Sequence, residues 1–227
     1  MKSNDELFQI LMERAASQKY IHPEDIPGIE LYMDQVTTFM EHHLENAKRH
    51  EDDKILTKTM INNYAKNDLL PPPVKKKYSR EHMLMLIFIY YYKNLLSIGD
   101  IQTLMQPLCD RYFNADHGLN LTDIYTEVFS MARPEKELLY AEAKAALDKA
   151  SHTFMDADVS DQEREELQRF AFISLLSFDV YMKKQMIEFL IDEMAEEKAA
   201  EKAALEAAKK SSAKKTAKKA SKKHREE

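Results

Sequence analysis

The chain is short of residues on which several large classes of protein depend. Its 227 residues include one cysteine and three glycines, and its longest uncharged apolar run is the ten-residue stretch MLMLIFIYYY. A single cysteine cannot build an intramolecular disulfide framework, and it fits a reducing, cytoplasmic setting. Ten apolar residues are too few to cross a bilayer as a helix, and the start MKSNDELFQI lacks an apolar run of signal length. The composition therefore predicts a cytoplasmic protein without a membrane segment.

The scarcity of glycine also bears on fold class and on chemistry. Few glycines, combined with abundant alanine, leucine, lysine and glutamate, favour an all-α fold. The sequence contains no glycine-rich phosphate loop, nucleophile elbow or zinc-ligand cluster. Cys109 lies beside an apolar helix, where packing is the usual role. His42 and His43 are adjacent and point in different directions on a helix, which argues against a metal site. We therefore expect a non-enzymatic protein without a cofactor or metal.

Charge is distributed unevenly along the chain. The formal net charge is −6, yet residues 207–227 hold nine basic and two acidic side chains, so the rest carries −13. Inside that acidic remainder, residues 54–93 carry eight basic side chains and only two acidic ones. Such asymmetry indicates polyanionic partners, nucleic acid first among them. The lysine-rich tail fits two roles, sequence-independent DNA binding and simple solubility, and the sequence leaves both open.

Apolar spacing and capping residues predict a series of helices in the first half of the chain. Thr57 is suited to cap a short basic helix, and Ser79 to cap the helix that holds the long apolar run. Ser97 and Asp100 stand at the spacing of a capping box. Prolines forbid a continuous helix over residues 22–30 and bias residues 70–72 toward extended backbone. The predicted helices cover residues 4–18, 31–44, 57–66, 79–96 and 97–107.

Beyond Leu119 the sequence predicts only helices and a tail. Two helices are expected over residues 122–131 and 134–149, followed by a long helix from Asp161 to about Ala208, whose capping box is Ser160 with Glu163. The long helix is the natural element for a homodimer, although its apolar stripe also suits packing within one chain. We expect disorder to begin near Ser211. The predicted regions are 20–110 for an N-terminal domain, 118–208 for C-terminal dimerisation or sensing helices, and 209–227 for the basic tail.

The order of elements between residues 31 and 108 is that of a winged helix-turn-helix: two helices, a rigid basic loop and a supporting helix. The short helix would offer asparagine to adenine and lysine to phosphate. The loop after the prolines would form a wing that lays Lys75, Lys76, Lys77 and Arg80 along the DNA backbone, with Tyr78 packed beneath it or touching a sugar. The ordinary alternatives are a solvated loop, surface polarity and packing. The candidate DNA-binding residues are Lys58, Asn62, Asn63, Lys66, Lys75, Lys76, Lys77, Tyr78 and Arg80.

The stretch TMINNYAKNDLLPPPVKKKYSREHMLML, followed by LSIGDIQTLM, resembles the DNA-binding half of the mercury-resistance-regulator (MerR) family. Tyr64 matches the aromatic end of that family's recognition helix, and Tyr78 matches its wing tyrosine. Asp68 stands where glycine is usual, and Asn62 where arginine is usual. IPGIELYMDQVTTFM and LTKTMINNYAKNDLLPPPVKKKYS are similar to the bacterial family of domains of unknown function numbered 1836, over roughly residues 20–110. The resemblance implies a MerR-like fold and no established activity.

These observations predict an all-α bacterial protein that binds duplex DNA as a transcriptional regulator and forms a homodimer through its C-terminal helices. The alternative is a non-enzymatic adaptor that uses the same basic domain to bind an acidic protein partner. The operator, the effector and the direction of regulation are left open by the sequence.

Overall fold

The computed structural model describes residues 2–17, 20–115 and 117–223, and these residues form eight α-helices and one two-stranded antiparallel sheet. The predicted all-α class is confirmed. Short 3-10 turns lie at Pro23–Asp25 and Glu45–Ala47. The helices are α1 (Asn4–Ser17), α2 (Met33–His43), α3 (Lys58–Lys66), α4 (Arg80–Tyr92), α5 (Ile98–Tyr112), α6 (Leu121–Ser130), α7 (Ala132–Ser151) and α8 (Asp161–Lys223), and the strands are β1 (Leu31–Tyr32) and β2 (Lys77–Tyr78).

The chain divides into two compact units, Met1–Lys184 and Gln185–Glu227. The first unit contains the sheet, helices α1 to α7 and the first part of α8. In its described part, the second unit consists of the remainder of α8 alone.

Helix starts follow the capping residues that the sequence offers. The Thr57 hydroxyl accepts the Met60 amide at 3.2 Å. The Ser97 hydroxyl accepts the Asp100 amide at 3.2 Å, while the Asp100 carboxylate accepts the Ser97 amide at 3.0 Å. Each contact satisfies an amide that the first helical turn leaves without a partner. The predicted starts of α3 and α5 are confirmed.

Helix ends and short strands differ more from expectation. Leu31 and Tyr32 form strand β1 instead of opening α2, because they pair with β2. Helix α4 ends at Tyr92, four residues before the predicted end at Leu96. Helix α5 continues past Pro107 to Tyr112, since the burial of its apolar side outweighs the one hydrogen bond that proline removes. Helix α8 extends to Lys223, past the predicted fraying near Ser211; alanine and lysine favour helical backbone.

Helix α4 forms the centre of the first unit. Every residue from His82 to Tyr90 is buried, as expected for a helix that is apolar on all sides. Near its end, Phe88 packs against the rings of Tyr125 and Phe129, with centroids 5.3 and 5.5 Å away. The Tyr125 hydroxyl donates to the Ile21 carbonyl at 2.6 Å. This aromatic cluster joins α4 to α6.

A smaller core holds α1, α7 and the beginning of α8 together. Phe8, Ala143 and Leu147 are buried there, and Met12 and Phe172 pack against them. Polar contacts reinforce the same junction, since the Arg169 guanidinium donates to the Asn4 side chain at 2.9 Å. One side of α8 is therefore fixed against α1 and α7.

Other features bear on classes of function. Burial raises the pKa of the Cys109 thiol to about 11, so the sulfur stays protonated at neutral pH, 3.9 Å from the Met85 sulfur. Among the described residues, no group of three or more His, Cys, Asp or Glu side chains is arranged to hold a metal ion. No helix in the described part is both long and apolar enough to span a membrane.

Candidate nucleic-acid interface

Helix α3 separates its apolar and polar residues onto opposite sides. Ile61 and Tyr64 are 0% and 7% exposed and fix the helix to the domain. The opposite side exposes Lys58, Asn62, Asn63 and Lys66 to solvent. Lys58, Asn62 and Lys66 follow one another at intervals of four residues, which places them in one row on the helix surface. The row is available to a partner because packing does not use it.

The end of α3 is set by a left-handed residue. Asp68 has φ 54°, and the Leu69 amide donates back to the Tyr64 carbonyl at 2.9 Å. This is the Schellman arrangement, in which glycine is the usual residue at the left-handed position. Leu69 and Leu70 are then both 1% exposed, so the chain enters the wing from a fixed, buried point. Asp68 therefore adopts the glycine-like conformation that its place in the sequence demands.

The tip of the wing is a two-residue β-hairpin turn. Val74 and Lys77 form a β-bridge, and the Lys77 amide donates to the Val74 carbonyl at 2.9 Å. The two residues between them, Lys75 and Lys76, have φ 50° and 65°. Positive φ at both central positions is what a type I′ turn requires, and Asn-Gly is the usual pair there because asparagine and glycine tolerate positive φ better than other residues. Here both positions are lysine, and both side chains are exposed.

The base of the wing is anchored to the start of α2. Strand β2 pairs with β1, with Leu31 opposite Tyr78 and Tyr32 opposite Lys77. Leu31 and Tyr78 are 5% and 3% exposed. Since β1 leads directly into α2, the wing and α2 form one rigid element, and α2 in turn packs on α3.

Two of the candidate lysines already have acidic neighbours. Lys58 forms an ion pair with Asp34 in the first turn of α2. The Lys77 ammonium lies 3.7 Å from the Glu30 carboxylate and 5.7 Å from the centre of the Tyr32 ring. Both ion pairs are solvent-exposed, and such pairs contribute about 1 kcal/mol or less, so a phosphate can replace either carboxylate. Among the described residues, Lys66, Lys75 and Lys76 have no acidic partner within ion-pair distance.

Two predicted contact residues are turned toward the protein itself. The ring of Tyr78 is buried beneath the wing, and burial raises its pKa. The Arg80 guanidinium donates from Nη2 to the Pro23 carbonyl at 2.7 Å, and its Nε is buried. Tyr78 therefore packs, as one of its two predicted roles required, and Arg80 fastens α4 to the loop at residues 22–30. We correct the candidate set accordingly and remove both residues from the predicted DNA-binding residues.

Sequence reasoning missed His82, which supports the wing from below. It is 3% exposed, and its Nδ1 accepts the Ser79 amide at 3.0 Å. Its ring lies edge-on to Tyr78 and to Phe113, with centroids 5.5 and 4.9 Å away. Burial lowers the pKa of His82, and the carbonyls of Pro72 and Pro71 partly oppose that shift. The available signal was its position three residues after Ser79, where a capping-box partner stands.

The predicted site thus resolves into two exposed surfaces and an inner support. The first surface is the row on α3, together with Asn63. The second is the wing tip, Lys75 and Lys76, with Lys77 half-exposed at the base. The inner support consists of Tyr78, Arg80 and His82.

Comparison with known proteins assigns part of this region to a family. No curated protein and no solved structure matches the chain. Residues 21–128 match the model of a domain of unknown function, DUF1836, a span that includes β1, α2, α3, the wing, α4 and α5. Over residues 21–128, the chain is therefore similar to the DUF1836 domain family.

Proposed function

We propose that the chain is a DNA-binding transcriptional regulator whose residues 20–110 form a MerR-like winged helix-turn-helix. Helix α3 enters the major groove, and the wing tip binds the phosphate backbone. The observation that carries the proposal is the type I′ turn that presents Lys75 and Lys76, both exposed and both left-handed. Backbone conformations of this kind persist where the surrounding structure enforces them, and they are concentrated at binding sites.

The exposed row of α3 supplies the groups that groove recognition requires. Asn62 and Asn63 can each donate and accept hydrogen bonds to adenine, as amide side chains do in the major groove. Lys58 and Lys66 flank them and suit the phosphates on either side. In this arrangement, the asparagines recognise bases, and the lysines bind phosphates and so fix the position of the helix.

The connection between α2 and α3 is longer than in a simple helix-turn-helix, where three or four residues are usual. It covers residues 44–57 and includes the 3-10 turn. Leu44, Ile55 and Leu56 within it are at most 4% exposed, so the connection is packed into the domain. The position of α3 is therefore fixed by burial, even though the turn itself is long.

The test is a DNA titration in which charge is removed from the wing tip and, as a control, from elsewhere. The chain's own upstream DNA and a scrambled duplex are titrated with the full chain and with a chain ending at Glu206, which lacks the basic tail. The wing variant is Lys75→Ala with Lys76→Ala. The matched control is Lys198→Ala with Lys202→Ala, which removes two exposed lysines from α8.

We expect the wing variant to bind all sequences more weakly and to reduce the log–log salt slope by about 2, roughly 0.9 for each phosphate that is no longer neutralised. The control should bind like the parent in the tail-free chain. If neither duplex binds to the tail-free chain, the DNA proposal fails. Binding of an acidic protein partner that depends on Lys75 and Lys76 would then establish the adaptor function instead.

A further inference from the structure

The first part of α8 has its polarity reversed relative to an ordinary surface helix. Phe170, Ile173, Phe178 and Tyr181 are 67%, 55%, 67% and 57% exposed. With about 100° of rotation per residue, these four side chains and those of Ser174 and Ser177 occupy an arc of about 140°. We call these six residues the outer face. A water-exposed helix normally places charged residues on such an arc.

The opposite side of the same segment faces the protein. Phe172 packs into the small core with Phe8, at 6.4 Å between ring centroids. Lys183 binds Asp179 at 2.9 Å and Glu142 of α7 at 3.5 Å. The ion pairs of this segment thus lie toward α7, while its large aromatic residues point to solvent. An arrangement of this kind buries apolar surface only when another molecule covers the outer face.

The two serines of the outer face have their hydroxyl groups hydrogen-bonded within the helix. The Ser174 hydroxyl donates to the Phe170 carbonyl at 2.8 Å, and the Ser177 hydroxyl donates to the Ile173 carbonyl at 2.8 Å. Both serines therefore behave as small residues whose polarity is satisfied within the helix. They can be covered by an apolar surface without the cost of an orphaned donor.

The six residues are symmetric about a point between Leu175 and Leu176. Each large residue has a large counterpart at the same distance on the other side, Phe170 with Tyr181 and Ile173 with Phe178, and Ser174 has Ser177. When two copies of the helix run antiparallel about a twofold axis at that point, large residues meet large ones and small residues meet small ones. An isologous interface requires this kind of self-complementarity.

We propose that the outer face binds the outer face of a second copy of this chain, with the two α8 helices antiparallel and centred between Ser174 and Ser177. The small central serines let the two helices approach closely. At each end of the contact, Phe170 of one copy packs against Tyr181 of the other. With the flanking Val180 and Met182, the large side chains expose about 650 Å² per copy, and complete coverage of this area in both copies would bury about 1,300 Å². This lies in the range of roughly 1,200–2,000 Å² that stable, specific interfaces bury.

The proposal is independent of DNA binding, since it concerns residues outside 20–110 and is tested by mass. The oligomeric state of the full chain is measured by sedimentation in high salt, so that the basic tail does not carry nucleic acid along. The test variant is Ser174→Glu with Ser177→Glu. Glutamate is compatible with helix, and neither serine touches the small core, so the monomer should fold normally. The matched control, Ala200→Glu with Ala203→Glu, adds the same charges at exposed positions farther along α8.

The parent chain and the control should sediment as dimers. The test variant should raise the dimer dissociation constant at least about 100-fold, because four carboxylates would be buried together. Unchanged helical circular dichroism would show that the variant is folded. A monomeric parent at about 100 μM, well above the dissociation constant of a specific interface, overturns the proposal. A test variant that remains dimeric overturns the choice of face.

Disulfide trapping tests the antiparallel register. In a Cys109→Ala background, chains with Ser174→Cys are mixed with chains with Ser177→Cys and oxidised. The proposed register places these two positions opposite each other, so the mixed crosslink should form in preference to either homodimeric crosslink. Preferential Ser174→Cys homodimers would indicate parallel helices or an antiparallel pair centred on residue 174, and either result would overturn the proposed arrangement.

Discussion

Replacement of Lys75 by Asn and Lys76 by Gly should change stability and DNA binding in opposite directions. Both residues have positive φ at the wing tip, and a left-handed conformation costs an L-residue about 1–2 kcal/mol. Glycine at 76 removes that cost. It also lowers stability by about 0.5–1 kcal/mol, because glycine gives the unfolded chain more conformational freedom. Asparagine at 75 tolerates positive φ better than lysine does and should remove about 0.5–1 kcal/mol of the cost at that position. The net expectation is a gain of about 1–2 kcal/mol in the free energy of unfolding.

Thermal and urea unfolding measure this gain directly. For a domain of this size, about 1 kcal/mol raises Tm by about 2–4 °C, so the double variant should melt about 2–8 °C higher. The same variant should bind DNA more weakly and should reduce the salt slope by about 2, because two phosphates are no longer neutralised. An unchanged or lower Tm would show that the left-handed tip stores no strain. Undiminished DNA affinity would show that the two lysines do not bind phosphate.

Two control variants separate strain from charge. Lys75→Arg with Lys76→Arg keeps both charges and both side chains, so stability and DNA affinity should remain close to those of the parent. Asp68→Gly relieves the positive φ at the end of α3 without removing a lysine. It should raise Tm by a few degrees and leave the salt slope unchanged. A drop in affinity with Asp68→Gly would mean that the angle of the wing, and not its charge, limits binding.

Three further predictions concern the inner support residues Arg80 and His82 and base recognition by Asn62. Arg80→Met should lower the free energy of unfolding by about 1–3 kcal/mol in urea, since the Pro23 carbonyl loses its donor, while the salt slope of DNA binding stays constant. The pKa of His82 is lowered from 6.5 by burial, so its neutral form stabilises the fold above pH 6.5 and that stability declines as pH falls below this value. His82→Asn should therefore flatten the dependence of Tm on pH below 6.5, and an equally steep dependence would assign it to other groups. Asn62→Ala should change which duplexes are preferred in a selection experiment without altering the salt slope; a uniform loss would exclude base recognition by this residue.

Local signals in the sequence were sufficient to predict much of the fold. Thr57 and Ser97 marked helix starts because hydroxyl groups satisfy the amides of a first turn, and this chemistry operates within a few residues. The run from Met83 to Tyr90 indicated a helix buried on all sides, because a helix that is apolar all round can be stable only inside the protein. Asp68 stands where the resembling family usually has glycine, and it adopts the left-handed conformation that glycine usually supplies at the end of a helix.

Other features depended on residues that are far apart in the chain. Strand β1 forms because Leu31 and Tyr32 pair with β2, which lies about 45 residues later in the sequence. No local sequence pattern predicts such a pairing. Arg80 was predicted to face DNA, yet its guanidinium donates a hydrogen bond to the carbonyl of Pro23. The apolar stripe of α8 was visible in the sequence, but a stripe does not say which side of a helix is already covered. Only the packing of Phe172 against Phe8 decided that, and it left Phe170 and Tyr181 facing water.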